Sequence, residues 1–316
     1  MPKVSVIIPV YGVEKYIERC ARSLFEQTLK DMEFIFVDDY TKDNSVGLLQ
    51  SVMSHYPERK QQVIILHHRE NKGLPQARKT GVLAAKGDFI VHCDSDDWVD
   101  HDMYRSMYER AMEEKADVVV CDYMVTDGQG SERRVKACHS TDHDQFLENQ
   151  LFQRDPWSLC NKLFSRTAYY KDLVFPKGNM AEDMALCSQL MLHCRRVAYV
   201  ERPLYYYYSN PDSITKKLST AAILRNFQAV KDNTDIVLSV YGNSENKRIR
   251  EGLLYIQYNA KAHLFPIVHR HEYRGLFQNT YPSLFQKMLF QLAIPLKCKL
   301  KYVWALAGLY PRKIND

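Results

Sequence analysis

The sequence predicts an α/β fold with a mostly parallel central sheet, followed by a helical C-terminal region. Short, almost continuously apolar runs alternate with amphipathic stretches as far as residue 121, a pattern typical of buried parallel strands with helices on both faces. From about residue 221 onward the apolar spacing is mainly helical. The composition, with 46% hydrophobic and 26% charged residues, is ordinary for a globular protein and excludes a disordered chain.

The first part of the chain predicts strands that alternate with helices. The predicted strands are residues 4–9, 33–37, 63–66, 89–93 and 118–121. The predicted helices are residues 14–28, 45–56, 74–85, 103–113, 223–241 and 247–265. Residues 123–149 are polar and predict an excursion out of the sheet. We place a boundary near Lys217, between an α/β domain of residues 1–217 and a helical C-terminal region of residues 218–316.

The positive charge of the protein is concentrated at its C-terminal end. The 43 basic residues exceed the 38 acidic ones by 5, and the residues after Pro282 account for this excess. A neutral main body argues against nucleic-acid binding. Residues 284–310 mix lysines with apolar and aromatic residues, which predicts an amphipathic segment at the inner membrane face. The alternative is a helix that packs on its own domain or on a second subunit, as in a homodimer.

Neither the N-terminus nor the cysteines indicate secretion. Residues 1–4 lead straight into an apolar strand without a charged leader or cleavage site. No run reaches the roughly 18 apolar residues that a spanning helix needs. The eight cysteines form no CxxC pair and resemble reduced core residues. We therefore expect a cytoplasmic protein, with peripheral contact at the inner face of the cell membrane through its tail.

Carboxylates follow two of the predicted strands. Asp38 and Asp39 end the second strand, and Asp94, Asp96 and Asp97 follow the fourth. Ligands of open parallel sheets bind at the carboxyl ends of the strands, where these side chains would repel one another unless a cation compensates them. All-oxygen ligation favours Mg²⁺ or Mn²⁺. The alternative is that these residues only form Asx-turns or cap the next helix.

A glycine turn before the third helix predicts a diphosphate site. Gly73 permits a tight turn, Pro75 suits the first helical turn, and Arg78 lies one turn further on. A helix N-terminus with an arginine nearby suits a diphosphate. The sequence has no GxGxxG after the first strand and no GxxxxGK[ST], which disfavours dinucleotide-binding folds and phosphate-loop NTPases.

Four segments of the chain resemble one family. They read VSVIIPVYGVEKYI, FIFVDDYTKDNS, ENKGLPQARKTGVLAAKGDFIVHCDSDDWV and AEDMALC. In this order they resemble the bacterial family 2 glycosyltransferases, whose GT-A fold binds nucleotide sugars. The resemblance covers about the first 215 residues and does not extend to the tail. It departs from the family pattern at Tyr40-Thr41, where a small pair is usual, and at Lys79, where asparagine is usual.

The resemblance implies a role for each matching residue. The implied nucleotide-binding residues are Pro9, Tyr11, Glu14, Asp39, Arg78, Asp94 and Lys216. Among them, Asp39 would accept a hydrogen bond from the uracil N–H and Lys216 would contact phosphate. Asp96 would bind the Mn²⁺ or Mg²⁺ ion that bridges the diphosphate.

The resemblance also implies a catalytic base and an acceptor side. Asp183 matches the base of family members, and Trp157 and Glu182 are assigned to the acceptor. The alternatives are that Glu182 and Asp183 form a charged first turn of a helix, and that Trp157 is a core residue.

These assignments predict an inverting, metal-dependent glycosyltransferase. Its donor would be a nucleotide sugar, with uridine diphosphate as the expected nucleotide and a hexose or N-acetylhexosamine as the sugar. Its acceptor would be a growing glycan, on a lipid carrier, in cell-surface polysaccharide synthesis. One alternative is a nucleotidyltransferase, although residues 11–15 lack the Gly-rich basic loop of such enzymes. The other is a non-catalytic sugar-binding homologue, which the retention of Asp96 and Asp183 disfavours.

Overall fold

A computed structural model describes residues 1–137, 140–170, 172–176, 178–209 and 219–310. The strands are β1 (Val4–Val10), β2 (Met32–Asp38), β3 (Val63–His67), β4 (Phe89–His92), β5 (Trp98–Val99), β6 (Val118–Thr126), β7 (Glu132–Val135), β8 (Lys162–Ser165) and β9 (Val197–Tyr208). The helices are α1 (Ile17–Phe25), α2 (Ser45–Met53), α3 (Leu74–Ala84), α4 (Met103–Glu114), α5 (His143–Leu151), α6 (Glu182–Met191), α7 (Thr220–Tyr241), α8 (Lys247–Ala262), α9 (His271–Asn279), α10 (Leu284–Leu289) and α11 (Leu296–Leu306). Two short 3₁₀ helices span Pro57–Gln62 and Arg166–Tyr170.

The described strands form one mixed sheet in which most strands run the same way. Its order is β3-β2-β1-β4-β8-β6-β9-β5, and β7 pairs with β6 outside this path. The pairs β1–β2, β2–β3, β1–β4 and β6–β9 are parallel. β8 is antiparallel to both β4 and β6, so β6 and β9 run in the same direction as β4. The predicted α/β fold with a mostly parallel sheet is therefore confirmed.

β1 is buried along its whole length because helices cover both faces of the sheet. Val6 and Ile8 pack in one core cluster with Leu24 of α1, whereas Ile7 packs in another with Ala77 of α3. This is the period of two that an extended strand imposes. α3 lies so close to the strand that a Cβ atom at Gly81 would be 2.4 Å from Ile7 Cγ2.

The prediction that residues 123–149 leave the sheet is wrong for residues 123–126 and 132–135, which are strand residues. β6 continues to Thr126 and pairs with β9 on one side and with β7 on the other. Gly128 and Gly130 have positive φ angles in the turn between β6 and β7. β7 is mostly exposed, which explains why its polar sequence gave no strand signal.

The C-terminal region is helical, as predicted, and its first helices pack on the sheet domain. Val237 of α7 and Leu253 of α8 share a core cluster with Leu147 of α5 and Met184 of α6. A second cluster, which includes Tyr302, joins the remaining helices to α8. The predicted boundary at 217/218 lies in residues 210–218, outside the described part. Among the helices that are described, none is both long and apolar enough to cross a membrane.

Candidate active site at the carboxyl ends of the strands

The carboxyl ends of β2, β1 and β4 bring the predicted site residues to one edge of the sheet. β1 lies between β2 and β4, so Tyr11 is flanked by the segment that begins at Asp39 and the segment that begins at Asp94. The Ser95 hydroxyl donates to the Pro9 carbonyl over 2.7 Å and ties the turn after β4 to β1. Ligand sites of parallel sheets occur at this edge.

Asp39 is buried and organises the loop that leads into α3. Its Oδ1 accepts from His68 Nδ1 over 2.7 Å and from the Lys72 backbone N–H over 2.8 Å, and its Oδ2 accepts from the Gly73 N–H over 2.8 Å. His68 Nε2 lies 2.9 Å from the Thr80 hydroxyl. Gly73 has a φ of 84°, a backbone conformation suited to glycine. The carboxylate therefore fixes the glycine turn expected to bind a diphosphate.

Asp97 holds the turn after β4 against β9. Its carboxylate accepts from the Tyr205 hydroxyl and, over 2.7 Å, from the Tyr208 backbone N–H. Burial and the neighbouring Asp96 and Asp94 raise the pKa of Asp97 well above its usual range. Asp97 is thus a structural residue of this turn, but its partners lie on β9 and not two residues further along the chain, as they would in an Asx-turn.

Arg19 fixes the backbone at Asp96. Its Nη2 donates to the Asp96 carbonyl over 2.8 Å. Its guanidinium carbon lies 3.7 Å from the centre of the Trp98 ring and 4.9 Å from that of Tyr208. These two cation–π contacts hold the arginine, and through it the peptide that carries the proposed metal ligand.

Buried Arg78 gathers three carboxylates from two distant parts of the chain. Its Nη2 lies 3.0 Å from Asp94 Oδ1 and 3.5 Å from Asp183 Oδ1, and its Nε lies 3.1 Å from Glu182 Oε1. Burial alone would lower the pKa of Arg78, but Glu182, Asp94 and Asp183 more than offset it and raise that pKa. We call Arg78, Asp94, Glu182 and Asp183 the Arg78 cluster.

The polar groups of the Arg78 cluster are incompletely satisfied. Within the described chain, Arg78 Nη1, Glu182 Oε2 and Asp183 Oδ1 are buried without a hydrogen-bond partner. Burial, together with Asp183 and Asp94, raises the pKa of Glu182 well above its usual range. Burial also raises the pKa of Asp183, partly opposed by Arg78. The side chains of Asp183 and Asp94 are 31% and 30% exposed, and that of Glu182 only 4%, so Asp183 is the one of the two acidic residues of α6 that a substrate can reach.

The donor set at this edge fits a hard divalent cation. Asp94 and Asp96 offer carboxylate oxygens, which Mg²⁺ and Mn²⁺ prefer. No group of three or more His, Cys, Asp or Glu side chains forms a complete metal site in the described ranges. Such ions commonly take one or two carboxylates and complete their coordination with water and substrate phosphate. The residues present therefore fit an ion that is held jointly with a diphosphate.

The loop before β8 lies against the Arg78 cluster. Cys160 Sγ donates to Asp94 Oδ2 over 3.3 Å. Lys162 is fully buried, and its Nζ donates to the carbonyls of Pro156 and Ser158 over 2.8 Å each. Trp157 is half-buried between two core clusters, and its indole N–H has no partner in the described part of the chain. Lys162 thus fixes the loop that carries the predicted acceptor residue Trp157.

The remaining predicted residues differ in their surroundings. Tyr11 is exposed directly after β1, whereas Pro9 is buried within that strand. Glu14 Oε2 accepts from the Asn44 backbone N–H over 3.0 Å at the start of α2, so its carboxylate is engaged there. Lys216 lies outside the described residues. The nucleotide-binding roles of these residues stay predictions.

The sequence analysis did not identify several residues that hold the site. They are Arg19, His68, Cys160, Lys162 and Tyr205. Only His68 had a usable signal. His68 follows the predicted strand 63–66 by two residues, as Asp39 follows the predicted strand 33–37, so parallel pairing of the two strands would place His68 beside Asp39.

Comparisons with known proteins agree with this geometry. The family model "Glycosyl transferase family 2" matches residues 5–173. The chain is 31% identical to the Bacillus subtilis "Uncharacterized glycosyltransferase EpsJ" over 237 residues, which cover 68% of this chain and 64%, just under two thirds, of that relative. A crystal structure of S. aureus TarS in complex with UDP-GlcNAc superposes with a TM-score of 0.71 at 18% identity, over 97% of this chain and 88% of that one. A Pyrobaculum calidifontis mannosyltransferase in complex with GDP-Man and Mn²⁺ gives a TM-score of 0.59 at 14% identity, over 98% and 87% of the two chains.

Proposed function

The chain belongs to glycosyl transferase family 2, and from that premise we propose that it moves a sugar from a uridine diphosphate donor to a hydroxyl of a glycan, with inversion at the anomeric carbon. The observation that carries the proposal is the Arg78 cluster, in which a buried arginine at the sheet edge holds two partly exposed carboxylates, Asp94 and Asp183. The acceptor class that we propose is a growing cell-surface polysaccharide.

Asp39 has the acceptor capacity to recognise uracil. A carboxylate offers about four lone-pair sites, and the protein uses three of them on Asp39. Among the described residues, Oδ2 accepts from the Gly73 N–H alone, which leaves one of its lone-pair sites for a ligand. The uracil imide N–H is a donor that fits it. The TarS complex with UDP-GlcNAc, a protein of the same fold, supports this choice of nucleotide.

Asp183 is the proposed catalytic base. The acceptor hydroxyl must lose its proton as its oxygen attacks the anomeric carbon, and the raised pKa of Asp183 makes it a stronger base than an ordinary aspartate. Arg78 holds the carboxylate in place, and Glu182 positions Arg78 from the other side. Attack from the face opposite the leaving diphosphate inverts the anomeric centre in a single displacement.

The departing nucleoside diphosphate gains negative charge, which the donor side must stabilise. Asp96, with Asp94 beside it, would hold a Mn²⁺ or Mg²⁺ ion, which supplies Lewis-acid stabilisation of that charge. The N-terminus of α3, where the Gly73 turn places backbone N–H groups, suits the same diphosphate. The complex of the Pyrobaculum mannosyltransferase with Mn²⁺ supports a divalent ion in this fold.

Donor binding tests the proposal directly. We would measure the melting temperature of the protein with UDP and with a panel of UDP- and GDP-sugars, each with Mn²⁺, with Mg²⁺ and without metal. Stabilisation by UDP that needs a divalent ion, and that Asp96→Asn abolishes, is the expected result. Asp31→Asn, which removes an exposed carboxylate directly before β2, at the opposite end of the sheet, is the matched control and keeps the wild-type response.

Two outcomes would contradict the proposal. One is a melting temperature that responds to UDP equally with and without metal and in Asp96→Asn. The other is release of pyrophosphate from a nucleoside triphosphate and a sugar phosphate, which would identify a nucleotidyltransferase. Donor binding without any sugar transfer or donor hydrolysis would instead favour a non-catalytic homologue.

A further inference from the structure

The last two helices display a set of large apolar side chains to solvent. Phe290 and Leu292, in the loop between α10 and α11, are 87% and 97% exposed. Leu296, at the start of α11, is 69% exposed, and Trp304 near its end is 47% exposed. We call these four residues, together with Leu300, the C-terminal apolar surface. Apolar side chains exposed this fully, and this close together along the chain, indicate an interaction site.

Helix α11 has two apolar faces, although packing in its own domain uses only one. Cys298, Tyr302 and Ala305 are buried in the core of the C-terminal helices. Leu296 and Leu300, at i and i+4 on the other face, remain exposed. A surface helix of a soluble domain normally presents polar residues there. The exposed face therefore has a purpose outside this packing.

The loop that carries Phe290 and Leu292 is held in shape by the protein. Lys299 Nζ donates to the Leu289 and Gln291 carbonyls over 3.0 Å each. The loop thus presents its two apolar side chains from a fixed backbone, and presenting them costs no additional ordering of the loop.

The charged residues of the segment that carries this surface have one sign. Residues 284–310 contain Lys287, Lys297, Lys299 and Lys301 and no acidic residue. A twofold contact between two copies would place the same lysines against each other, because both subunits contribute the same patch to such an interface. An anionic bilayer offers both partners that the surface lacks, an apolar interior for Phe290 and Leu292 and negative headgroups for the lysines.

We propose that the C-terminal apolar surface docks on an anionic lipid bilayer, with Phe290 and Leu292 inserted below the headgroups and the lysines of α11 on the membrane surface. The binding itself does not depend on the donor chemistry. Its purpose, to bring the active site to a glycan on a lipid carrier, rests on the proposed function.

Vesicle binding by the full-length protein tests the surface. The protein would be sedimented with vesicles of phosphatidylcholine alone and of phosphatidylcholine with phosphatidylglycerol. We expect binding to the anionic vesicles that weakens as salt is added. The double variant Phe290→Ser/Leu292→Ser should lower the partition coefficient by about tenfold or more, and Lys297→Gln/Lys301→Gln by about tenfold on anionic vesicles only.

The matched control is Leu83→Ser/Met112→Ser, which removes two exposed apolar side chains from α3 and α4. It should bind vesicles like the wild type. Equal partition of wild type, test variant and control would overturn the proposal. So would a wild-type dimer, seen by light scattering, that Phe290→Ser/Leu292→Ser converts to monomer while no form binds vesicles.

The UDP-dependent shift in melting temperature separates this proposal from the proposed function. It should be the same in the surface variants, because they lie outside the nucleotide site, and it also reports that they are folded. If a surface variant loses vesicle binding but keeps the UDP-dependent shift, the loss is due to the C-terminal apolar surface and not to misfolding or to the nucleotide site. A protein that binds vesicles but not UDP would contradict the proposed function and leave the membrane surface in place.

Discussion

The buried carboxylate of Asp39 and the carboxylates around Arg78 lie at the same edge of the sheet. They differ in how completely the protein supplies them with hydrogen-bond and ion-pair partners. Asp39 accepts three hydrogen bonds, two from backbone N–H groups and one from His68. In the Arg78 cluster, three carboxylates face one guanidinium, and Arg78 Nη1 and Asp183 Oδ1 are among its buried atoms without partners in the described chain.

This difference indicates that the two regions have different roles in one site, a structural role for Asp39 and a chemical role for the Arg78 cluster. A buried carboxylate with its hydrogen bonds made stabilises its surroundings, so Asp39 holds the shape of the nucleotide end. A cluster with excess negative charge and unsatisfied atoms costs stability, and proteins retain such clusters where a ligand or a reaction needs them. Substitutions in the two regions should therefore have different consequences, and each prediction below tests this contrast.

The largest effect should come from Asp183→Asn. Asparagine keeps the size of the side chain but cannot take the proton of the acceptor hydroxyl, so the rate of sugar transfer should fall by about 10²–10⁴-fold. The melting temperature and its response to UDP should remain close to the wild type. Steady-state transfer rates with the donor found in the nucleotide panel would measure the loss.

Asp144→Asn is the matched control for that variant. Asp144 also lies in the first turn of a helix, α5, but outside the Arg78 cluster. It should retain wild-type transfer. A similar loss of rate in both variants, or no loss in Asp183→Asn, would rule out Asp183 as the base.

Arg78→Met should have the next largest effect, on folding. It leaves Asp94, Glu182 and Asp183 without their counter-charge, and breaking a buried ion pair costs about 3–5 kcal/mol. Because low pH protonates the abandoned carboxylates, the loss should be larger at pH 8 than at pH 5. Urea unfolding at the two pH values measures the free energy of unfolding.

Arg59→Met separates this charge effect from the loss of any buried arginine. Arg59 is also buried, but its guanidinium donates to the backbone carbonyls of Phe25, Gln27, Leu29 and Lys30 and to the side-chain carbonyl of Gln62. Its substitution should destabilise the protein by a similar amount at both pH values. If Arg78→Met were equally insensitive to pH, the cluster would not carry the excess charge described above.

The sequence predicted the positions of the aspartates at the strand ends better than it predicted the contacts of Arg78. Apolar runs located β1, β2 and β4 because both faces of these strands are buried, and they also located β3, which is only half-buried at the edge of the sheet. Once the strands are known, the rule that ligands bind at their carboxyl ends points to Asp39, Asp94 and Asp96.

The interactions that complete the site could not be derived from the same patterns. Arg78 and Glu182 are 104 positions apart, and their contact depends on how α6 packs beside α3. Lysine is usually a surface residue, and nothing in the local spacing reveals that backbone carbonyls accept from the ammonium group of Lys162. Contacts made by loops and helix ends carry no periodic signal.

A smaller effect is expected for Glu182→Gln, in the pH dependence of stability. The pKa of Glu182 is raised in the folded protein, so between the unfolded and folded pKa values the folded state binds more protons. Wild-type stability should therefore be highest near the unfolded pKa and fall as the pH rises toward the folded pKa. Glutamine removes this titration and should flatten the decline between pH 5 and pH 8.

Urea unfolding across that pH range measures the slope. Glu113→Gln, an exposed carboxylate on α4, is the control and should keep the wild-type slope. A slope unchanged by Glu182→Gln would mean that the pKa of Glu182 is not raised, so that Glu182 is ionised across this range and shares the excess charge with Asp94 and Asp183.

The smallest effect should come from Tyr40→Gly, beside Asp39. Tyr40 has a φ of 63°, a conformation that glycine adopts without strain, and it occupies a position where family members usually have a small residue. Relief of this strain offsets the greater freedom of glycine in the unfolded chain and the loss of the contact between Lys42 and the tyrosine ring. The net change in the free energy of unfolding should stay within about 1 kcal/mol. Tyr40→Val, whose β-branched side chain is strained at a positive φ, should destabilise the protein by about 1–2 kcal/mol.

The same variant also tests nucleotide binding. If the hydrogen bonds of Asp39 are enough to hold the nucleotide end in place, Tyr40→Gly should leave the UDP-dependent melting shift unchanged. A weakened shift would show that nucleotide binding depends on the Tyr40 side chain. The Asp39 region would then have a functional role as well as a structural one, as the Arg78 cluster does.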